Sequence, residues 1–149
     1  MLKDEDVRLV RFLFTKGYVD KVRFDKFNRM MGESDARVSS TVLIEAVGVD
    51  EGTVAQAISE EFQIPFVNLT PSIIAVNSHD LRDEFLRKYN ALPIIRSGVE
   101  LTVAFHTPPY KEVLDTMRRE AKIFVVPVAV KRSAFEAVIS KEKIEIVNT

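Results

Sequence analysis

The chain has 149 residues, 46% of them hydrophobic and 29% charged, with a formal net charge of -1 and no cysteine. That length holds one ordinary domain, or two small ones sharing an interface, and buries a core without staples. The near-neutral charge gives no whole-molecule field to gather nucleic acid or anionic lipid, and the missing cysteines exclude disulfides, thiolate metal sites and a cysteine nucleophile.

Met1 to Asp6 lacks the basic and then apolar pattern of an export signal, and no apolar run approaches the roughly 20 residues that span a bilayer. A cytoplasmic chain that neither inserts into a membrane nor binds nucleic acid is expected. Val7, Val10, Leu13 and Phe14 form the apolar stripe of a first helix, widened by Leu9 and Phe12 and stopped by Gly17. Asp20 caps a second helix bearing Phe24, Phe27 and Met31, which Gly32 closes. A third starts near Arg37 and carries Val38, Val42 and Ala46. After Gly48, Asp50 caps a fourth that runs to Phe62.

Gly17-Tyr18-Val19-Asp20 before the second helix echoes Gly48-Val49-Asp50 before the fourth, and Arg8 is matched by Arg37. A period of about 30 residues predicts a duplicated helical hairpin packed as a four-helix unit. At Pro65 the helical spacing of Val54, Ala57, Ile58 and Phe62 gives way to the short run Phe66-Val67, which marks the hinge between two subdomains.

Beyond that junction Pro71 begins a short irregular or helical segment. Leu81, Phe85 and Tyr89 mark a helix capped by Asn77 or Ser78. Leu92 to Ile95 and Val99 to Phe105 are strand-like and joined at Ser97-Gly98, with Leu101, Val103 and Phe105 on one face. Thr107-Pro108-Pro109 reads as a helix start ahead of Tyr110, Val113, Leu114 and Met117. Ile123 to Val130 is a strand central or next to central, Ser133 caps a last helix with Phe135, Val138 and Ile139, and Ile144 to Val147 reads as an edge strand or linker. The fold class is therefore α+β. A four-helix subdomain over residues 1–62 precedes an α+β subdomain over 63–149, with a small, largely antiparallel sheet carrying helices on one face.

No GxxxxGK[ST] or GxGxxG sequence is present, so no nucleotide-phosphate loop of either kind is expected, and no catalytic motif points to an enzyme. His79 and His106 have no metal-ligand spacing and read as ordinary helix-start and strand-end residues. Glu60 and Glu61 diverge by about 100° around a helix and read as a solvated face. Arg118, Arg119 and Lys122, with Lys131 and Arg132, form a patch for anions or a partner, or simply the charges that gather at helix ends. Arg8 and Arg37 stand out because they recur: a guanidinium forks to phosphate and stacks on a base.

The run Ile58-Ser59-Glu60-Glu61-Phe62-Gln63-Ile64-Pro65-Phe66-Val67-Asn68-Leu69 resembles the junction in the N-terminal domain of type II secretion and type IV pilus assembly ATPases. Tyr89 to Ile94, Leu101 to Phe105 with Pro108 after it, and Val126-Pro127-Val128 carry the resemblance over nearly the whole chain. It implies a non-catalytic, cytoplasmic bacterial module that precedes a hexameric motor and docks a protein partner at the inner-membrane platform of a secretion or pilus machine. The motor is absent here, as in an excised domain or a standalone relative.

One branch of that family binds cyclic di-GMP through tandem motifs, and the resemblance makes this ligand the alternative to protein docking. Arg8, Leu9, Leu13 and Gly17 match the first motif, while Val10 replaces its early glycine, Asn28 a leucine and Met31 the final glutamine. Arg37 fits the second, with Val38 and Ser39 in place of Leu-Gly and Gly48 out of register. A side chain where the motif has glycine narrows the approach of backbone to ligand. The candidate ligand residues are thus Arg8, Leu9, Leu13, Gly17 and Arg37; no other cofactor and no metal is expected.

Overall fold

The structure, a computed structural model, describes residues 3–33, 39–70 and 79–139. Arg37, the start of the third helix, the segment at Pro71, the Asn77 or Ser78 cap and the tail from Ile144 to Val147 lie outside the described residues.

Four helices come first: α1 (Asp4–Thr15), α2 (Lys21–Glu33), α3 (Ser40–Ala46) and α4 (Glu51–Phe62). As the apolar spacing requires, Leu9 and Leu13 of α1, Phe27 of α2, Ile44 of α3 and Ile58 of α4 meet in one core, with α1 packed on α4 and α2 on α3. Asp50 caps α4 as expected, accepting from the amides of Gly52 at 2.9 Å and Thr53 at 3.3 Å. Gly48 follows α3 at φ +101°, a conformation open to glycine and strained for a side chain. Gly32 does not close α2, which runs through it to Glu33; one glycine weakens a helix without ending it.

The second half contains α5 (His79–Tyr89), β1 (Leu92–Ser97), β2 (Glu100–Phe105), α6 (Lys111–Ala121) and β3 (Phe124–Ala129), followed by a helix over residues 132–139, α7. The α+β class holds, with two differences in the sheet. β1 and β2 pair antiparallel through the Gly98 turn, but β2 and β3 pair parallel, because α6 between them returns the chain to the same end of the sheet. The sheet is therefore mixed, in the order β1-β2-β3.

Helices also cover both faces rather than one. Leu101, Val103, Phe105 and Val125 pack with Met117 of α6 and Phe85 of α5. On the other face Ile94, Ala104 and Val128 pack with Phe135 and Val138 of α7. The nearly unbroken apolar run of β3 is the signature of a strand buried on both sides.

The N-termini of α6 and α7 are capped from far away in sequence. Thr107 does not cap α6: its hydroxyl donates to Pro108 O at 3.3 Å, the residue before a proline is steered out of the helical region, and the helix begins at Lys111 after an extended Tyr110. The Lys111 amide donates to Glu5 of α1 at 2.7 Å. Ser133 lies inside the first turn of α7, where its amide donates to Glu51 of α4 at 3.2 Å and its hydroxyl to the same carboxylate. Two carboxylates of the helical unit thus satisfy helix ends beside the sheet.

The chain crosses between the halves without slack. Gln63 turns left-handed at φ +54°, the Ile64 amide donates to Ser59 O at 3.1 Å, and the Ser59 hydroxyl donates to Ile64 O at 2.6 Å. Pro65 O then accepts from the Ala129 amide at 2.8 Å, and the Val67 amide donates to Ala129 O at 2.9 Å, placing Phe66 alongside the end of β3.

Candidate functional site

Leu9 and Leu13 are fully buried, so the residues that share the first motif with Arg8 serve the core and offer nothing to a ligand directly. Val10, where the motif has glycine, is 6% exposed and packs in the same core, so its side chain does not cover the surface beside Arg8. Gly17 lies in the exposed turn at the far end of α1, at φ +79°. Of the candidate ligand residues that the structure describes, only Arg8 and Gly17 are open to solvent.

Arg8 is held in three ways. Its Nε donates to Glu61 Oε1 at 3.1 Å, a terminal nitrogen donates to Glu61 O at 3.3 Å, and the guanidinium lies 4.6 Å from the centre of the Phe62 ring. All three contacts are with the last two residues of α4, where a cation also meets the negative end of the helix. Glu61 is thereby more than one charge on a solvated face.

Beside Arg8 an open cleft of 840 Å³ runs between α1 and α6, lined by Asp4, Glu5 and Arg8 on one side and by Lys111, Asp115 and Arg119 on the other. At its edge is a polar knot. Asp6, 6% exposed, accepts from the Tyr110 hydroxyl at 2.7 Å, from the Ser40 hydroxyl and from the Lys3 amide at 3.2 Å. Burial first, and then the bond to Asp6, push the Tyr110 hydroxyl well above the usual tyrosine range. Sequence reading missed this knot. An aspartate in a first helical turn is commonplace, and its partners are 34 and 104 residues away.

The basic residues near the end of the chain are divided among different partners. Arg118 reaches Asp115 at 3.8 Å and Val125 O at 3.4 Å, whereas Arg132 pairs with Glu45 at 2.8 Å and Glu136 at 3.1 Å. Lys131 lines a separate cleft of 390 Å³ with Tyr18, Asp50, Gln56 and Asn68. His106 is 8% exposed with its ring against Phe135, and its Nδ1 has no hydrogen-bond partner among the described residues. Burial lowers its pKa to about 4. Among the described residues no group of three His, Asp or Glu could hold a metal ion, and no helix is long and apolar enough to cross a membrane.

The family model for the MshEN domain matches residues 62–141, just over half of the chain, from the last residue of α4 through α7. The chain belongs to the MshEN domain family. Its sequence is 31% identical over 104 residues to the type IV pilus assembly ATPase PilB of Acinetobacter baylyi, an alignment covering 69% of this chain and 18% of that protein. This MshEN chain thus spans less than a fifth of the curated relative that it matches. Solved structures that share its fold include the following two. MshE with cdg superposes with a TM-score of 0.69 at 15% identity, covering 89% of this chain and 96% of that one. The N-terminal domain of XpsE superposes with a TM-score of 0.65 at 16% identity, covering 94% and 96%. The expected resemblance to N-terminal domains of secretion and pilus ATPases is borne out. The seven helices and mixed sheet described above are the MshEN architecture.

Proposed function

We propose that this MshEN chain is a non-catalytic docking and regulatory module of a cytoplasmic secretion or pilus assembly ATPase, with a helical unit over residues 1–62 and an α+β unit over 63–149. It binds a protein of the inner-membrane platform. The observation that carries the reading is the family match itself, which falls on the half of the chain containing the sheet. Support also comes from the end of the sheet remote from the helical core, where Ile95, Val99 and Phe124 are 48%, 72% and 61% exposed. Apolar groups gathered outside a core favour a partner surface. Titration of the chain with cytoplasmic segments of platform proteins is expected to give saturable binding, weakened at least about tenfold by Phe124→Asp. An absence of binding to any of them would reject the docking role.

A second reading is a cyclic di-GMP sensor using Arg8, Gly17 and Arg37. It is favoured by the exposed position of Arg8 and by the fold shared with MshE with cdg. Calorimetric titration with cyclic di-GMP is expected to show saturable binding that an Arg8→Ala, Arg37→Ala double variant loses. Equal binding by the double variant would remove these residues from the site.

A further inference from the structure

The contacts that hold Arg8 have the chemistry of a nucleotide. Glu61 supplies an anionic oxygen where a phosphodiester would supply one, the Glu61 carbonyl accepts a second hydrogen bond, and the Phe62 ring offers the flat face that a base would offer. Arg8 has half of its side chain exposed and Glu61 a quarter, so the pair is open to exchange with a dissolved anion.

We propose that Glu61 is an internal competitor for Arg8, occupying the guanidinium until an anionic cyclic dinucleotide displaces it. This inference rests on the second reading above. Binding then costs the ion pair, and ligand uptake frees the carboxylate at the end of α4, the helix that leads directly into the crossing to the sheet.

Glu60 supplies the control. It neighbours Glu61 in sequence, yet it lines the separate cleft with Tyr18 and Lys131 and makes no hydrogen bond or ion pair with Arg8 among the described residues. A general loss of negative charge would help an anionic ligand from either position, whereas competition for Arg8 belongs to Glu61 alone.

The test is calorimetric titration of the full chain with cyclic di-GMP, using wild type, Glu61→Gln, Glu60→Gln, Arg8→Ala and the Arg8→Ala, Glu61→Gln double variant, each checked for folding by circular dichroism. Glu61→Gln is expected to bind about two- to fivefold more tightly, the range set by one exposed ion pair. Glu60→Gln should stay near wild type, and the gain should vanish in the Arg8→Ala background. An equal gain from Glu60→Gln, or no gain from Glu61→Gln while Arg8→Ala still weakens binding, overturns the competition and leaves the ligand reading standing. No binding by any variant overturns both.

Discussion

Asp6→Ala is expected to lower the unfolding free energy by about 3 kcal/mol, because it strands the buried Ser40 hydroxyl and the part-buried Tyr110 hydroxyl and frees the Lys3 amide. For a chain of this size that corresponds to a fall of roughly 6–12 °C in Tm. Tyr110→Phe removes only one arm and should cost about 1 kcal/mol. Urea unfolding of the three proteins measures both values, and a loss under about 1 kcal/mol for Asp6→Ala would show that the knot contributes little. The hydroxyl of Tyr110 adds a second signature. Its folded pKa lies above the ordinary value, so the unfolded chain releases this proton first, and stability should decline as pH rises through 10. Tyr110→Phe should shallow that decline.

Acid should act through His106. Its pKa falls from 6.5 to about 4 on folding, so between those values the unfolded chain binds a proton that the folded chain refuses. Stability present above pH 6.5 is therefore lost as pH drops toward 4, by about 3 kcal/mol over the whole window at 1.36 kcal/mol for each pKa unit. Burial is the main cause, and Arg132 adds to it while Glu136 opposes it. His106→Leu keeps an apolar group against Phe135 and removes the titration, so its unfolding free energy should change much less between pH 7 and 4.5. Parallel pH profiles for wild type and variant would assign the acid sensitivity to other groups.

Local signals were legible and remote ones were not. The spacing of Leu9, Leu13, Phe27 and Ile58 marks the helical core, Asp50 announces α4 by its own side chain, and Gly98 marks the β1–β2 turn. Each of these needs only residues a few positions apart. The starts of α6 and α7 were misread at Thr107 and Ser133 because their amides are served by Glu5 and Glu51, 106 and 82 residues away. The sheet differed for the same reason: strand direction and coverage of the second face depend on where α6 and α7 return. At the candidate site, the sequence singled out Arg8 through its repetition. Its three contacts with Glu61 and Phe62 could not be read from spacing, since helical periodicity does not say which ends of two helices will meet.

The crossing from α4 to β3 has a mechanical consequence. A joint that swivels needs backbone groups free to change partners, but Ser59, Ile64, Pro65 and Val67 are already committed to one another or to Ala129. Such a joint carries torque instead of dissipating it. Ala129 is anchored in the helical core while Phe124, at the other end of the same strand, is open to solvent about 16 Å away. A twist applied to the helices is thus expected to travel along β3, as along a short axle, toward the exposed end at Phe124.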